Sequence, residues 1–136
     1  MTQVLDTSVL IRHVSGEPAY QARAATALLK GAEAGGLLLT DVHVAEFAWV
    51  LESSIYQADR ETVRGALEGV LALPAIAVAN RSRLQDAIDL YGPRSMHWTD
   101  AYLVASARAV KAVEVVSFDR FDAKIKGLGV SRRKPR

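Results

Sequence analysis

Residues 1–13 read MTQVLDTSVLIRH, and the fold turns on how Asp6 is placed. Val4 and Leu5 open an apolar, β-favouring run that Val9, Leu10 and Ile11 continue. Asp6 interrupts it where a buried strand would end. A carboxylate beside an apolar strand is costly to desolvate unless a cation or a hydrogen-bond donor meets it. Something in the fold must therefore answer that charge.

Outward from this run, the chain alternates strand and helix. Residues 3–6 read as a strand, and 17–34 as an Ala-rich helix stopped by Gly35 and Gly36. Residues 37–40 form a short apolar strand, and 42–53 a second helix with Thr40 or Asp41 as N-cap. Asp59 caps a helix over 60–71 that ends before Pro74, and residues 76–78 are a weak strand. Helical pattern resumes over 82–90 and stops at Gly92 and Pro93. Thr99 then caps a helix over 100–111, and 113–118 is the last strand. Short strands between longer helices predict an α/β domain with a parallel sheet between helix layers.

Composition narrows the function. At 136 residues, half of them hydrophobic, the chain is long enough for one self-supporting core. With no cysteine, disulfides, thiolate metal sites and cysteine nucleophiles are excluded. No apolar run approaches the ~20 residues of a membrane span, and no signal-peptide pattern opens the chain, so a cytoplasmic, membrane-free protein is expected. The net charge of +2 is local. Arg132, Arg133, Lys134 and Arg136 lie in the last six residues, and the remainder carries 13 basic against 15 acidic residues. Residues 127–136 are expected to be a loosely ordered basic tail, its charges over 131–136 adding affinity for a phosphate-bearing partner, following a domain over 1–126.

Four acids stand apart from the rest. Asp6 ends the first apolar strand and Asp119 follows the last, and ligands of parallel sheets gather beyond strand carboxyl ends. Glu46 shares a helix face with Val42, Trp49 and Val50, and Asp100 one with Leu103, Val104 and Ala107. Both are expected on inward faces. The bland alternatives are a salt bridge from Glu46 to Arg12 and a dipole-complementing role for Asp100. Glu17, Glu33, Asp59, Glu61, Glu68, Asp86 and Asp89 lie instead at helix starts or among polar neighbours. Four gathered carboxylates repel one another unless cations intervene. A hard divalent ion resolves this with oxygen ligands, and the chain lacks zinc-type spacing. Such a site suits phosphate-ester hydrolysis.

Asp6, Glu46, Asp100 and Asp119, carried in VLDTSVLIRH, VAEFAWVLES, WTDAYLVASA and VVSFDRFD, resemble a PIN domain, and within that family the VapC ribonuclease toxins. The resemblance implies a three-layer α/β/α domain with a central, mostly parallel sheet and Mg2+-dependent endoribonuclease activity, Mn2+ substituting. It implies that the four acids form the catalytic and metal-binding cluster, Glu46 directly or through water, supported by Thr7, Ser8 and Ser117. It further implies a homodimer restrained by a VapB-type antitoxin. Two departures bear on auxiliary ligands: His97 stands where many relatives carry a further acid, and Asp122 is displaced by one position from the usual last acid. A PIN nuclease of RNA maturation without antitoxin, or a non-cleaving PIN-like binding module, are the rival readings.

Other residues carry less. His43, beside Glu46 on the second helix, reads as a partner-bonded histidine, and His13, His43 and His97 complete no triad. Trp49 reads as core or dimer interface, and Trp98 as packing or as a base-stacking ring near the site. An aspartyl-phosphate phosphatase usually places a second Asp two residues after the first, where this chain has Ser8.

Overall fold

The opening apolar run is two elements. In the computed structural model, which describes residues 2–136, strand β1 covers only Gln3–Val4 and helix α1 follows over Thr7–Ser15. Asp6 is the N-cap, with extended backbone and its Oδ2 accepting from the Ser8 N–H at 2.9 Å. Thr7, Leu10 and Ile11 are the buried residues of α1, at helical rather than strand spacing. An Asp cap satisfies helix donors that nothing else would satisfy, and here it outweighs the β preference of Val9 and Ile11. Gly16, at φ 76°, closes α1 with its N–H on the Arg12 carbonyl.

The chain divides into two compact units, through Ala79 and from Asn80 onward. In the first, α2 (Ala19–Gly31), β2 (Leu37–Leu38), α3 (Asp41–Glu52), α4 (Arg60–Leu71) and β3 (Ile76–Ala77) follow α1. Strands β1, β2 and β3 pair in that order, all parallel, with Gln3 opposite Leu37 and Leu37 opposite Ile76. Parallel neighbours need long crossovers, and the pairs α1–α2 and α3–α4 supply them. Helix α1 packs on α2 and α3, and α3 on α4. Thr40 and Asp59 cap α3 and α4 as their positions predict, accepting from the N–H groups of His43 and Thr62.

The second unit holds α5 (Arg81–Tyr91), α6 (Trp98–Ala109), β4 (Glu114–Val116), a 3₁₀ turn over Asp122–Ile125, and β5 (Ser131–Arg133). Helices α5 and α6 pack together, and Trp98 meets Tyr91 edge-on with ring centroids 6.0 Å apart. Helix α6 begins at Trp98 with His97 as N-cap, two residues earlier than a Thr99 cap would place it. Every strand pairing is parallel, in keeping with the α/β expectation, and the strands group as three and two.

The loosely ordered tail is corrected. Residues Ser131–Arg133 form β5, pairing in parallel with β4 in the register Glu114 to Ser131 and Val116 to Arg133. Arg132 donates to the Ser117 carbonyl at 3.1 Å and, through Nε and Nη2, to Asp122 Oδ2 at 3.2 and 3.0 Å. Arg133 donates to Glu114 at 2.9 Å. The two arginines thus serve strand pairing. Among the described residues, no helix is long and apolar enough to cross a membrane.

Candidate active site

In the first unit the junction between β1 and α1 meets the start of α3. Asp6 is exposed rather than buried, and hydrogen bonds outweigh the small desolvation of its charge. The Ser8 hydroxyl and then the Ser8 N–H hold its carboxyl below the usual range, with His43 adding a smaller electrostatic pull. With Oδ2 on the cap, Oδ1 is the oxygen that faces His43, 3.8 Å from Nε2. Thr7, buried, donates to the His43 carbonyl at 3.4 Å and so ties α1 to the first turn of α3.

Glu46 joins them. One ligand atom from each of Asp6, His43 and Glu46 lies within 4.8 Å of the others. Two carboxylate oxygens and one imidazole nitrogen at this spacing fit a divalent cation by donor type and by reach. The burial expected of Glu46 is corrected. Helix α3 is apolar nearly all round, and the stripe it buries is Val44, Phe47, Ala48 and Leu51. Glu46 lies on the other face with Val42 and Trp49, which are 73% and 51% exposed. Trp49 is therefore not core. Arg12, the alternative partner for Glu46, donates to Gln21 at 2.8 Å.

In the second unit Asp100 sits half-buried in the first turn of α6, backed by buried Val104 and Ala107. Burial first, and then the charge of Asp119, push its carboxyl above the ordinary value, while His97 and Lys124 partly offset the rise. Asp119 is exposed in the loop after β4, where its N–H donates to Ser117 Oγ at 3.0 Å. The two acids share a cleft of about 300 Å³ with His97, Arg120, Phe121 and Lys124. Lys124 Nζ is anchored on the Ser95 carbonyl at 2.7 Å. The cleft therefore combines two carboxylates with cationic side chains, a mixture able to face a phosphate group.

Asp122, half-exposed, pairs with Arg132. Arg132, only 13% exposed in its side chain, is occupied by that pair rather than free for RNA. Trp98 is 2% exposed and packs in the core, the first of its two readings. His43 is the residue whose place in the cluster went unread, although a signal was present: His43 and Glu46 stand three apart on one helix, hence on one face. The remaining acids behave as caps and surface pairs, Asp59 on Thr62, Glu61 and Glu68 on Arg64, and Asp86 on Arg108.

Compared with known proteins, residues 4–126 match the family model described as the PIN domain. No curated protein and no solved structure matches the chain.

Proposed function

The chain belongs to the PIN-domain family, whose members are generally metal-dependent nucleases, and from there we propose that it is an endoribonuclease acting as the toxin of a toxin–antitoxin pair. The single observation that carries the nuclease reading is the convergence of Asp6, His43 and Glu46 donor atoms. Asp6, Glu46, Asp100 and Asp119 are the carboxylates we assign to the reaction. Magnesium, with manganese as substitute, is the proposed ion, because carboxylates dominate the donor set. Such an ion, when bound, supplies Lewis acidity and neutralises charge developing on phosphodiester oxygens.

The chain's own residues prepare for this. Ser8 and the first turn of α1 hold one oxygen of Asp6 and so orient the other. Ser117 shapes the turn that carries Asp119. Burial and the charge of Asp119 raise the proton affinity of Asp100, and a nearby cation would oppose that rise. Lys124 and Arg120 place positive charge beside the acids, where an RNA phosphate would be held. The toxin assignment, with a homodimer, a VapB-type antitoxin and a cytoplasmic setting, rests on the likeness of the four motif stretches to that branch.

Cleavage assays on structured RNA in EDTA, then with each metal restored, test the activity. Cleavage should need added ion and leave 5′-phosphate and 3′-hydroxyl ends. Full cleavage in EDTA refutes the metal reading, and cyclic 2′,3′-phosphate ends would replace it with a histidine mechanism. Expression of the chain should arrest growth, and a short upstream reading frame encoding a DNA-binding protein should reverse the arrest. A harmless chain with no such neighbour would instead place it in RNA maturation.

A further inference from the structure

Building on the nuclease reading above, we infer that His43 Nε2 is a third protein ligand to the divalent ion, beside Asp6 and Glu46, and that it raises the site's affinity for manganese above what oxygen donors alone would give. The separation of Nε2 from Asp6 Oδ1 is 3.8 Å. That exceeds the ~2.7–3.2 Å of a hydrogen bond. Two donors sharing one ion at ~2.0–2.2 Å each stand about 3–4 Å apart. The gap is the wrong size for direct bonding and the right size for a shared cation. All three residues already bring a donor atom within 4.8 Å of the others.

The ring is already oriented for this. Nδ1 lies 2.6 Å from Thr40 Oγ1, the same oxygen that accepts from the His43 backbone N–H at 3.3 Å. A hydroxyl can accept from Nδ1–H or donate to bare Nδ1. A cation at Nε2 selects the first arrangement, in which the Nε2 lone pair faces Asp6. Metal-ligating histidines are usually held in this way, by a partner on the other ring nitrogen. Thr7 fixes the backbone beneath the ring by donating to the His43 carbonyl, so the junction that caps α1 with Asp6 also positions the imidazole. A simple ion pair is the weaker account, since the two side chains are 32% and 66% exposed and such pairs contribute little.

The consequence for selectivity follows from donor chemistry. Magnesium prefers oxygen and gives up its waters reluctantly, whereas imidazole suits first-row transition ions. Exchanging one oxygen donor for nitrogen therefore favours manganese without excluding magnesium.

Electron spin-echo envelope modulation of Mn2+ bound to the full chain tests the ligand directly, without reference to cleavage. The wild type should give nitrogen modulation, which should change frequency on 15N-histidine labelling and vanish in His43→Ala. Calorimetry should show His43→Ala losing at least about tenfold in Mn2+ affinity, the scale of losing even a supporting partner of a ligand. Its Mg2+ affinity should change much less. The isotope experiment uses unsubstituted protein and so stands even if His43→Ala does not fold. Mn2+ bound without nitrogen modulation, or modulation that survives His43→Ala, overturns the His43 assignment and leaves the nuclease reading intact. Failure of the wild type to bind Mn2+, together with cleavage in EDTA, removes both.

Discussion

Trp98→Ala separates the core reading of Trp98 from the base-stacking one. The indole is 2% exposed and packs edge-on against Tyr91, itself buried. Burying ~150–250 Å² of aromatic surface at ~25 cal/mol/Å² is worth about 4–6 kcal/mol. The edge contact adds ~0.5–1.5 kcal/mol, while residual compactness of the unfolded chain removes roughly 10–40% of the area term. These terms span about 3–7 kcal/mol, and the ~3–5 kcal/mol found for deleting large aromatics from cores sets the expected loss. With 136 residues, an unfolding entropy near ~2.1 cal/mol/K per residue converts this into a drop in Tm of roughly 10–17 °C.

The assay is thermal and urea unfolding followed by far-UV circular dichroism, run beside RNA binding. Trp98→Phe keeps a ring against Tyr91 and should lose less than half as much stability. Trp49→Ala, at a 51% exposed position, should stay within about 0.5 kcal/mol of wild type. Because Trp98 opens α6 and Asp100 lies in the same first turn, the two Trp98 variants should lose activity in step with stability. A Trp98→Ala protein that melts within ~2 °C of wild type yet no longer binds RNA would refute this reasoning and restore the stacking role.

Asp6→Asn should fold normally, since Asn caps helices as well as Asp does, and should lose metal-dependent cleavage; Asp6→Ala should lose both the cap and the activity, as melts and cleavage assays in parallel would record. Asp100 is held above its ordinary 3.8 by burial and by Asp119, so the folded state binds its proton more tightly than the unfolded chain does. Its contribution to stability is then complete below that value and lost as pH rises through the raised folded value. Urea unfolding in EDTA should therefore show Asp100→Asn gaining on wild type as pH climbs out of the acid range, and equal stability at neutral pH would contradict the cause assigned. Arg132→Met should destabilise the protein while leaving the salt dependence of RNA binding unchanged. Replacing Lys134 and Arg136 with Gln should instead flatten that dependence by up to about 1.4–1.8 in log–log slope, if both touch phosphate.

Much of the architecture was legible because its signals are local. Thr40 and Asp59 announce their helices, and helix α4 runs over 60–71 as the pattern predicts. The failures have two physical sources. The first is competition between local signals: Asp6-Thr7-Ser8 is itself a helix-start signature, yet the β-branched residues around it favour a strand, and the cap prevails together with the burial of Leu10 and Ile11. The second is sequence distance. Nothing in the composition of SRRKPR says that Arg132 will meet Asp122, ten residues back, or that Arg133 will meet Glu114, nineteen back. A run of charges reads as solvated until its partners are known.

Inward faces are the expected mark of Glu46 and Asp100, and strand ends that of Asp6 and Asp119; in the structure Asp6, Glu46 and Asp119 are all exposed. Asp6 caps a helix, Asp100 lies in a first helical turn, and Asp119 follows a strand in a turn fastened by Ser117. At the first two places the helix N-terminus favours negative charge; at the third, solvent and a fixed turn carry it. Carboxylates placed this way are held in orientation without an apolar enclosure. They are open to a cation on arrival and need none in order to fold. Asp100 is the exception, the one whose surroundings resist its charge, and a cation entering its cleft would relieve that resistance directly. Added divalent ion should therefore lower the Asp100 pKa, which carboxyl chemical shifts followed against pH would detect, while an Asp100 titration indifferent to the ion would separate this acid from the metal site.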